Sequence, residues 1–271
     1  MNLTIPIGIF DSGVGGLSVL RALRQRLPGQ PAIFFADQAH VPYGPRPMEE
    51  VRDFAEGITR FLLEQGAGLI VVACNAASAA ALYHLRGKFP GVPFVGMEPA
   101  VKPAAETTRS GVVGVLATPA TFQGALYASV VERFAHDVSV LQDTCPGLVG
   151  QIEAGELDSP RTRQILERAL EPMLAKGIDT VVLGCTHYPF VIPLIEEIAG
   201  TGVRVIDPAP AVARQTERLL KQNGLLAEGD APAPVRFLTS GNPAGLQAML
   251  VRLGFGEWPV EQANWEGHQI K

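Results

Sequence analysis

Two apolar runs that each end in a cysteine constrain this chain more than any other feature. Ile178-Asp179-Thr180-Val181-Val182-Leu183-Gly184 leads into Cys185-Thr186-His187-Tyr188-Pro189-Phe190, and 111 residues earlier Leu69-Ile70-Val71-Val72-Ala73 leads into Cys74-Asn75. Short, apolar, β-branched runs of this kind fit strands buried on both faces. A cysteine followed by a small polar residue at the end of each suggests two halves that present one thiol apiece. Such a pair suits a reaction needing two matched proton-transfer groups on opposite sides of one substrate.

The surrounding sequence reads as two copies of one α/β unit. Residues 5–10 form a short apolar strand, and Asp11-Ser12-Gly13-Val14-Gly15-Gly16 then turns into a helix with apolar positions 17, 20, 23 and 27. Residues 32–36 make a second strand ending at Asp37, and His40-Val41-Pro42-Tyr43-Gly44-Pro45 is a loop by its prolines and glycine. A 3.6-residue apolar period predicts a helix over 48–65, stopped by Gly66; the Cys74 strand, an alanine-rich helix over 76–89 and a strand over 92–96 follow. This alternation calls for a parallel sheet covered by helices on both faces.

The plan then returns. Gly8-Ile9-Phe10-Asp11-Ser12 is matched 106 residues later by Gly114-Val115-Leu116-Ala117-Thr118, and residues 32–37 by 138–143 at the same offset. Val92-Pro93-Phe94-Val95 pairs with Val203-Arg204-Val205-Ile206 at the cysteine offset of 111. Ser159 as cap, Pro160 at the first position and Gly177 beyond the end mark a helix in the second copy. A helix over 211–222, a strand over 235–238 and a helix over 243–253 remain, expected to complete the first sheet. The expected fold is α/β, with two pseudo-symmetric doubly wound parallel-sheet domains and the active site in the cleft between them. Residues 1–97 plus 208–271 form the Cys74 half and 98–207 the Cys185 half, with the loops near 97–110 and 207–210 as crossings.

Charge and cysteine usage narrow the partners. The net charge of −5 leaves no basic surplus to replace phosphate counterions, so nucleic acid is not expected, whereas a small acidic substrate is compatible. No apolar run reaches 18 residues, and no membrane span is expected. Met1-Asn2-Leu3-Thr4 carries no basic region or cleavage signature. The three cysteines, Cys74, Cys145 and Cys185, show no CxxC and cannot all pair, which fits free thiols in a reducing, cytoplasmic setting.

In doubly wound sheets, ligands sit beyond the carboxyl ends of the strands, where the strand order reverses. An order of 2-1-3-4 would set Asp11-Ser12 beside Cys74-Asn75 and Thr118 beside Cys185-Thr186. It would also start a helix at each cysteine, where dipole and free amides lower a thiol pKa. His187 would then exchange a proton with the neighbouring thiol rather than serve as a surface histidine, and Asp11 would serve Cys74 rather than only cap a helix. Cys145 lacks a matched partner and reads as structural, and Tyr43 by itself is compatible with a turn aromatic. A dinucleotide site is the alternative from another class: Gly13-x-Gly15 follows a strand and Asp37 ends the next. Ser18 occupies its third glycine position, however, and Asp11 would face the pyrophosphate. Cys185-x-His187 supplies too few ligands for zinc, and a Cys-His hydrolase leaves Cys74 unexplained.

Gly8-Ile9-Phe10-Asp11-Ser12-Gly13-Val14-Gly15-Gly16-Leu17, Pro42-Tyr43-Gly44, Ala73-Cys74-Asn75 and Gly184-Cys185-Thr186-His187-Tyr188-Pro189 together resemble bacterial glutamate racemase. This is the cofactor-independent branch of the aspartate/glutamate racemase superfamily. The resemblance spans nearly the whole chain, with Leu116-Ala117-Thr118-Pro119-Ala120-Thr121 between the cysteine motifs. It implies an isomerase with no cofactor and no metal, interconverting L- and D-glutamate by two-cysteine α-proton transfer. Cys74 would act on the D-enantiomer with Asp11 assisting, and Cys185 on the L-enantiomer with His187 and Glu153 assisting. Ser12, Asn75 and Thr186 would hold the α-amino and α-carboxylate groups, and Tyr43, Gly44, Thr118 and Thr121 the side-chain carboxylate. Asp11 and His187 count among the substrate contacts as well. An aspartate or hydantoin racemase shares the geometry, but Tyr43-Gly44 with Thr118 favours glutamate. D-Glutamate would feed peptidoglycan synthesis, and a homodimer stays open. One departure is Ala76, where the family usually has Thr after Cys-Asn.

Overall fold

The strand and helix periods of the sequence appear in the computed structural model, which describes residues 5–271; the reading of Met1-Asn2-Leu3-Thr4 lies outside the described residues. The first unit runs β1 (Ile7–Asp11), α1 (Leu17–Arg26), β2 (Ala32–Ala36), α2 (Met48–Glu64), β3 (Leu69–Val72), α3 (Asn75–Lys88) and β4 (Phe94–Val95). After α4 (Val101–Thr107), the second unit runs β5 (Val112–Ala117), α5 (Pro119–Gln123), α6 (Ala125–Phe134), β6 (Ser139–Asp143), α7 (Leu148–Glu153) and α8 (Pro160–Leu174). It continues with β7 (Thr180–Gly184), a 3₁₀ turn (Tyr188–Val191), α9 (Ile192–Ala199) and β8 (Arg204–Ile206). The chain closes with α10 (Ala209–Gln222), β9 (Val235–Thr239), α11 (Pro243–Arg252), β10 (Val260–Gln262), β11 (Trp265–Glu266) and β12 (Gln269–Ile270).

Two parallel sheets result, ordered β10-β9-β2-β1-β3-β4 and β6-β5-β7-β8. Both contain the 2-1-3-4 arrangement. Its register sets Asp11 opposite Ala36 and Phe10 opposite Val72 in the first sheet, and Ala117 opposite Gly184 in the second. The carboxyl ends that carry Asp11 and Cys74 are therefore neighbours, as are those that carry Thr118 and Cys185.

Successive side chains of a strand point to opposite faces, so each central strand feeds two cores. Ile7 and Ile9 of β1 and Leu69 and Val71 of β3 join one apolar cluster, while Phe10, Ile70 and Val72 join another under α2 and α3. The first cluster continues through Leu148 and Ile152 of α7 to Val181 and Leu183 of β7. One apolar body thus ties both sheets together behind the strand ends. Ala77 and Ala81 let α3 lie close against the second cluster.

Two expectations need correction. The stretch near 97–110 is not only a crossing loop, since α4 forms within it; its seven residues are too few to print a helical period. The first sheet does not end with β9, because β10 adds an edge strand and β11 and β12 form an antiparallel pair beyond it. Strands of two or three residues carry no alternation to read. No helix among the described residues is long and apolar enough to cross a membrane.

Asp179 secures the entrance to β5. Its carboxylate accepts from the backbone N–H of Arg109 (2.5 Å) and Ser110 (2.9 Å) and from the hydroxyls of Thr108 (2.7 Å) and Thr180 (3.0 Å). Burial alone would raise its pKa, but these donors hold it at about 2, against an ordinary 3.8. A depressed carboxylate stabilises the fold above its unfolded pKa and stops doing so as pH falls through the folded one. Asp179→Asn is expected to lower unfolding free energy at pH 7 by about 1–2 kcal/mol, allowing for partial exposure. Urea titrations should show this gap to wild type closing as pH drops from 3.8 towards about 2; a gap independent of pH would show that the charge is not responsible.

Candidate active site

Asp11, at the end of β1, is fully buried, and the following turn wraps around its carboxylate. Oδ2 accepts from the N–H groups of Gly16 (2.9 Å) and Gly13 (3.3 Å). From the other half, the Thr186 hydroxyl reaches Oδ1 at 3.4 Å, and the Cys74 thiol adjoins the same side chain. Burial raises the Asp11 pKa and dominates over the lowering effects of His187 and Cys74.

Cys74 is the N-cap residue of α3, as its position predicts; its sulfur makes no capping hydrogen bond, and the nearby Ala77 N–H acts only to lower its pKa. The expected depression of the thiol pKa does not follow. Burial, reinforced by the negative charge of Asp11, pushes the Cys74 thiol well above its ordinary range and outweighs the amide. Cys185 follows β7 and is succeeded by a turn and the 3₁₀ segment, not by a regular α-helix.

Cys185 Sγ lies 3.7 Å from His187 Nδ1, and His187 Nε2 lies 2.6 Å from Glu153 Oε1 at the end of α7. Burial alone would lower the His187 pKa, but hydrogen bonds to Cys185 and Glu153 carry it well above 6.5. Glu153 is held below its ordinary value: burial opposes this, but His187 and the Val14 N–H (2.7 Å) prevail. The pair is an imidazolium bound to a carboxylate. Gln38 Nε2 approaches the second Glu153 oxygen at 3.4 Å, and Thr239 holds the Gln38 carbonyl oxygen at 3.0 Å.

These contacts explain the glycine-rich turn. A Cβ on Gly15 would lie 2.4 Å from His187 Nδ1, and one on Gly13 only 2.0 Å from Glu153 Oε1. The glycines allow the Glu153–His187 pair to close onto the backbone. Three of the turn's amides are also committed, those of Gly13 and Gly16 to Asp11 and that of Val14 to Glu153. A phosphate would find no free donors among them, and the Asp37 carboxylate is taken by Tyr43, His40, Ser240 and Trp265. Two carboxylates already seated on the turn would repel a pyrophosphate and argue against a dinucleotide cradle.

Cys74 and Cys185 line one small cavity. From the first half it is lined by Ser12, Pro42, Tyr43, Gly44, Asn75 and Ala76, and from the second by Thr118, Val149, Thr186 and His187. Asn75 is 3% exposed, and neither its side-chain oxygen nor its nitrogen has a protein partner. A buried amide without partners costs free energy unless a ligand completes it. Asp11, Glu153 and Thr121 stand behind the wall. Thr121 bonds Thr118 (3.2 Å) and the Gly184 carbonyl (3.4 Å), which fixes the Thr118 hydroxyl at the rim.

The sequence did not point to Val149 or Gln38. Val149 lies on α7, whose six residues show no functional pattern, and Gln38 acquires its role only from contacts with Glu153 and Thr239. Pro42 was visible within Pro-Tyr-Gly. Cys145 is buried at φ 42° with its amide bonded to Asp143, away from the cavity lining. Among the described residues, no three His, Cys, Asp or Glu side chains are grouped to hold a metal ion.

Residues 16–216 match the model of the Asp/Glu/hydantoin racemase family. The chain is 55% identical over 245 residues to a glutamate racemase of Pseudomonas paraeruginosa, covering 90% of this chain and 92% of that protein. Among solved structures, Escherichia coli glutamate racemase in complex with L-glutamate and the activator UDP-MurNAc-Ala is similar with a TM-score of 0.85 and 32% identity, covering 97% of this chain and all of that one. Thermus thermophilus glutamate racemase in complex with β-chloro-D-alanine gives 0.82 and 38%, covering 96% and 97%.

Proposed function

The chain belongs to the Asp/Glu/hydantoin racemase family and is an isomerase, and from that premise we propose that it interconverts L- and D-glutamate by two-thiol α-proton transfer. The observation that carries this reading is the single cavity onto which both cysteines open, one from each sheet, beside the unpartnered Asn75 amide. Inversion at a tetrahedral carbon requires a base on one face and an acid on the other, and groups from two opposed sheets meet that need.

With L-glutamate bound, Cys185 as thiolate removes the α-proton, and the Cys74 thiol delivers its own to the opposite face. D-Glutamate leaves with Cys74 as thiolate and Cys185 as thiol, and the reverse reaction restores the starting state. The raised pKa of Cys74 suits it to hold a proton until the planar intermediate forms. Asp11 adjoins the Cys74 thiol and serves it, and the His187 imidazolium, fixed by Glu153, is the positive neighbour of the Cys185 sulfur. Ser12, Asn75 and Thr186 bind the α-amino and α-carboxylate groups, with Asp11 and His187 adjoining them. Tyr43, Gly44 and Thr118 receive the side-chain carboxylate, and Thr121 orients Thr118. Fixed dipoles around the cavity stabilise the carbanion charge without a cofactor.

Under the same proposal, residues 1–97 with 208–271 and residues 98–207 are the two domains, and D-glutamate is supplied for peptidoglycan. A reducing, cytoplasmic setting keeps both thiols competent; all three cysteines are free.

Ala76 lines the cavity where the resemblance expects a threonine hydroxyl. Ala76→Thr should raise kcat/KM about 5-fold, the effect of one hydrogen bond of about 1 kcal/mol. An unchanged kcat/KM would show that the hydroxyl has no part here.

Incubation of reduced protein with L-glutamate in deuterated water, without added cofactor, tests the activity itself. Optical rotation should vanish while deuterium enters the α-position of the product. A folded, reduced sample that changes neither signal would overturn the glutamate reading; aspartate and hydantoins would then be the substrates to try.

A further inference from the structure

Asp37 is wholly buried at the end of β2 and does not line the cavity, yet its carboxylate gathers four partners from three separate segments. Tyr43 donates its hydroxyl to Oδ2 at 2.5 Å, and His40 Nδ1 lies 2.9 Å from the same oxygen. Oδ1 accepts from the Ser240 hydroxyl at 2.6 Å and from the Trp265 indole N–H at 2.8 Å. Ser240 follows β9, and Trp265 begins the terminal β11–β12 pair, 228 residues from Asp37. The rings close around the carboxylate: His40 stacks on Phe54 at 3.9 Å, Tyr43 stacks on Phe54 at 5.7 Å, and Trp265 meets His40 edge-on at 5.2 Å.

The segment that Asp37 holds is the one that enters the cavity. Pro42, Tyr43 and Gly44 form part of its wall, and Gly44 presses on the second half so closely that a Cβ there would lie 2.7 Å from Thr118 Cβ. Ala120 N–H also donates to the Gly44 carbonyl at 3.1 Å. A loop clamped at one end by Asp37 and seated at the other on Thr118 has its position set to a fraction of an ångström, which is the precision a carboxylate-reading wall needs. Because the Tyr43 hydroxyl hydrogen is given to Asp37, that hydroxyl is a support for the loop and not a free donor in the cavity.

We infer that Asp37, braced by Ser240 and Trp265, is a positioning residue that fixes the Pro42-Tyr43-Gly44 wall and thereby sets affinity for the substrate side chain. This makes the terminal β11–β12 pair part of the binding apparatus, although none of its residues touches the cavity. The inference rests on the glutamate reading proposed above.

Trp265→Phe keeps an aromatic side chain at the site but removes the indole N–H together with the second ring. It should raise KM for L- and D-glutamate about 10-fold, the effect of one lost hydrogen bond to a charged group, while kcat changes less than about 2-fold. Asp37→Asn should shift KM further in the same direction. Trp258→Phe leaves Trp265 as the sole tryptophan, and glutamate should then change its emission with a midpoint near the measured KM. An unchanged KM in Trp265→Phe, with only a lowered Tm, would overturn the inference and reduce the cluster to fold stabilisation. If Asp37→Asn does not fold, Trp265→Phe and the emission titration decide the question, and an emission indifferent to glutamate counts against the inference. A wild-type protein inert toward both enantiomers takes down the activity reading and this inference together; an active wild type with unmoved KM in the variants takes down the inference alone.

Discussion

Replacing either Cys74 or Cys185 with alanine is expected to lower kcat/KM for glutamate racemisation at least about 10³-fold in both directions, within the range that one proton-transfer group contributes. The loss must be symmetric, because inversion in either direction uses one thiol as base and the other as acid. The surviving thiol still faces one side of the α-carbon. Cys74→Ala should therefore exchange the α-proton of L-glutamate with deuterated solvent without inverting it, and Cys185→Ala should do the same with D-glutamate. Proton NMR of the α-signal and optical rotation, recorded together, separate exchange from inversion. The assignment of faces fails if the two variants exchange the same enantiomer. The two-thiol mechanism itself fails if one variant keeps near wild-type turnover, as a hydrolase-like Cys185 site with an idle Cys74 would. Cys145→Ala is the internal reference, since that buried thiol lies away from the cavity lining and its loss should leave turnover within about 2-fold, as expected of a residue outside the reacting set.

Glu153→Gln should have the next largest effect, a fall of about 10²-fold in kcat/KM for L-glutamate, comparable with losing an oriented acid–base partner. Glu153 does not line the cavity; it acts by holding His187 at 2.6 Å and by receiving the Val14 N–H at 2.7 Å. Removing its charge takes away one of the two partners that carry the His187 pKa above 6.5 against burial. The alkaline limb of the pH–rate profile should accordingly move to lower pH. The fall in kcat/KM must be the same for L- and D-glutamate, because an equilibrium constant of one ties the two values together; only kcat and KM separately can differ between the enantiomers. Stability follows from the same shifts. His187 has a raised folded pKa, so its contribution is complete below 6.5 and fades as pH rises through the folded value. Glu153 has a lowered one, so its contribution is complete above 4.5 and fades as pH falls through its folded value. The destabilisation of Glu153→Gln should therefore be greatest between 4.5 and 6.5. A profile that merely scales down with no movement of its alkaline limb would remove Glu153 from the proton-handling set.

Much of this arrangement was legible in the amino-acid order. Short apolar runs located the central strands and a 3.6-residue period the long helices, and the rule for parallel sheets placed Asp11 beside Cys74 and Thr118 beside Cys185. Both follow from local sequence: an apolar strand must be covered, and a strand end is where its next residues emerge. The six-residue α7, the seven-residue α4 and the short strands β10, β11 and β12 were not legible, because segments of that length do not complete enough of a period to be distinguished from loop.

The sequence by itself thus determined the two-copy α/β plan, the thiol at the end of each matched strand and the polar residues beside it. Only the tertiary structure decided what those groups become. The Cys74 sulfur sits at a helix start, as its position requires, yet its pKa rises because burial and Asp11 outweigh one amide. Gly13 and Gly15 look like part of a phosphate turn, yet the side chains that need their missing Cβ atoms, Glu153 and His187, come from the other half. Asp37 looks like the acid of a nucleotide fold, yet its carboxylate is taken up by Trp265 from the far end of the chain. Desolvation and contact are properties of what packs against a residue, and packing between distant segments leaves no period in the sequence for a local reading to find.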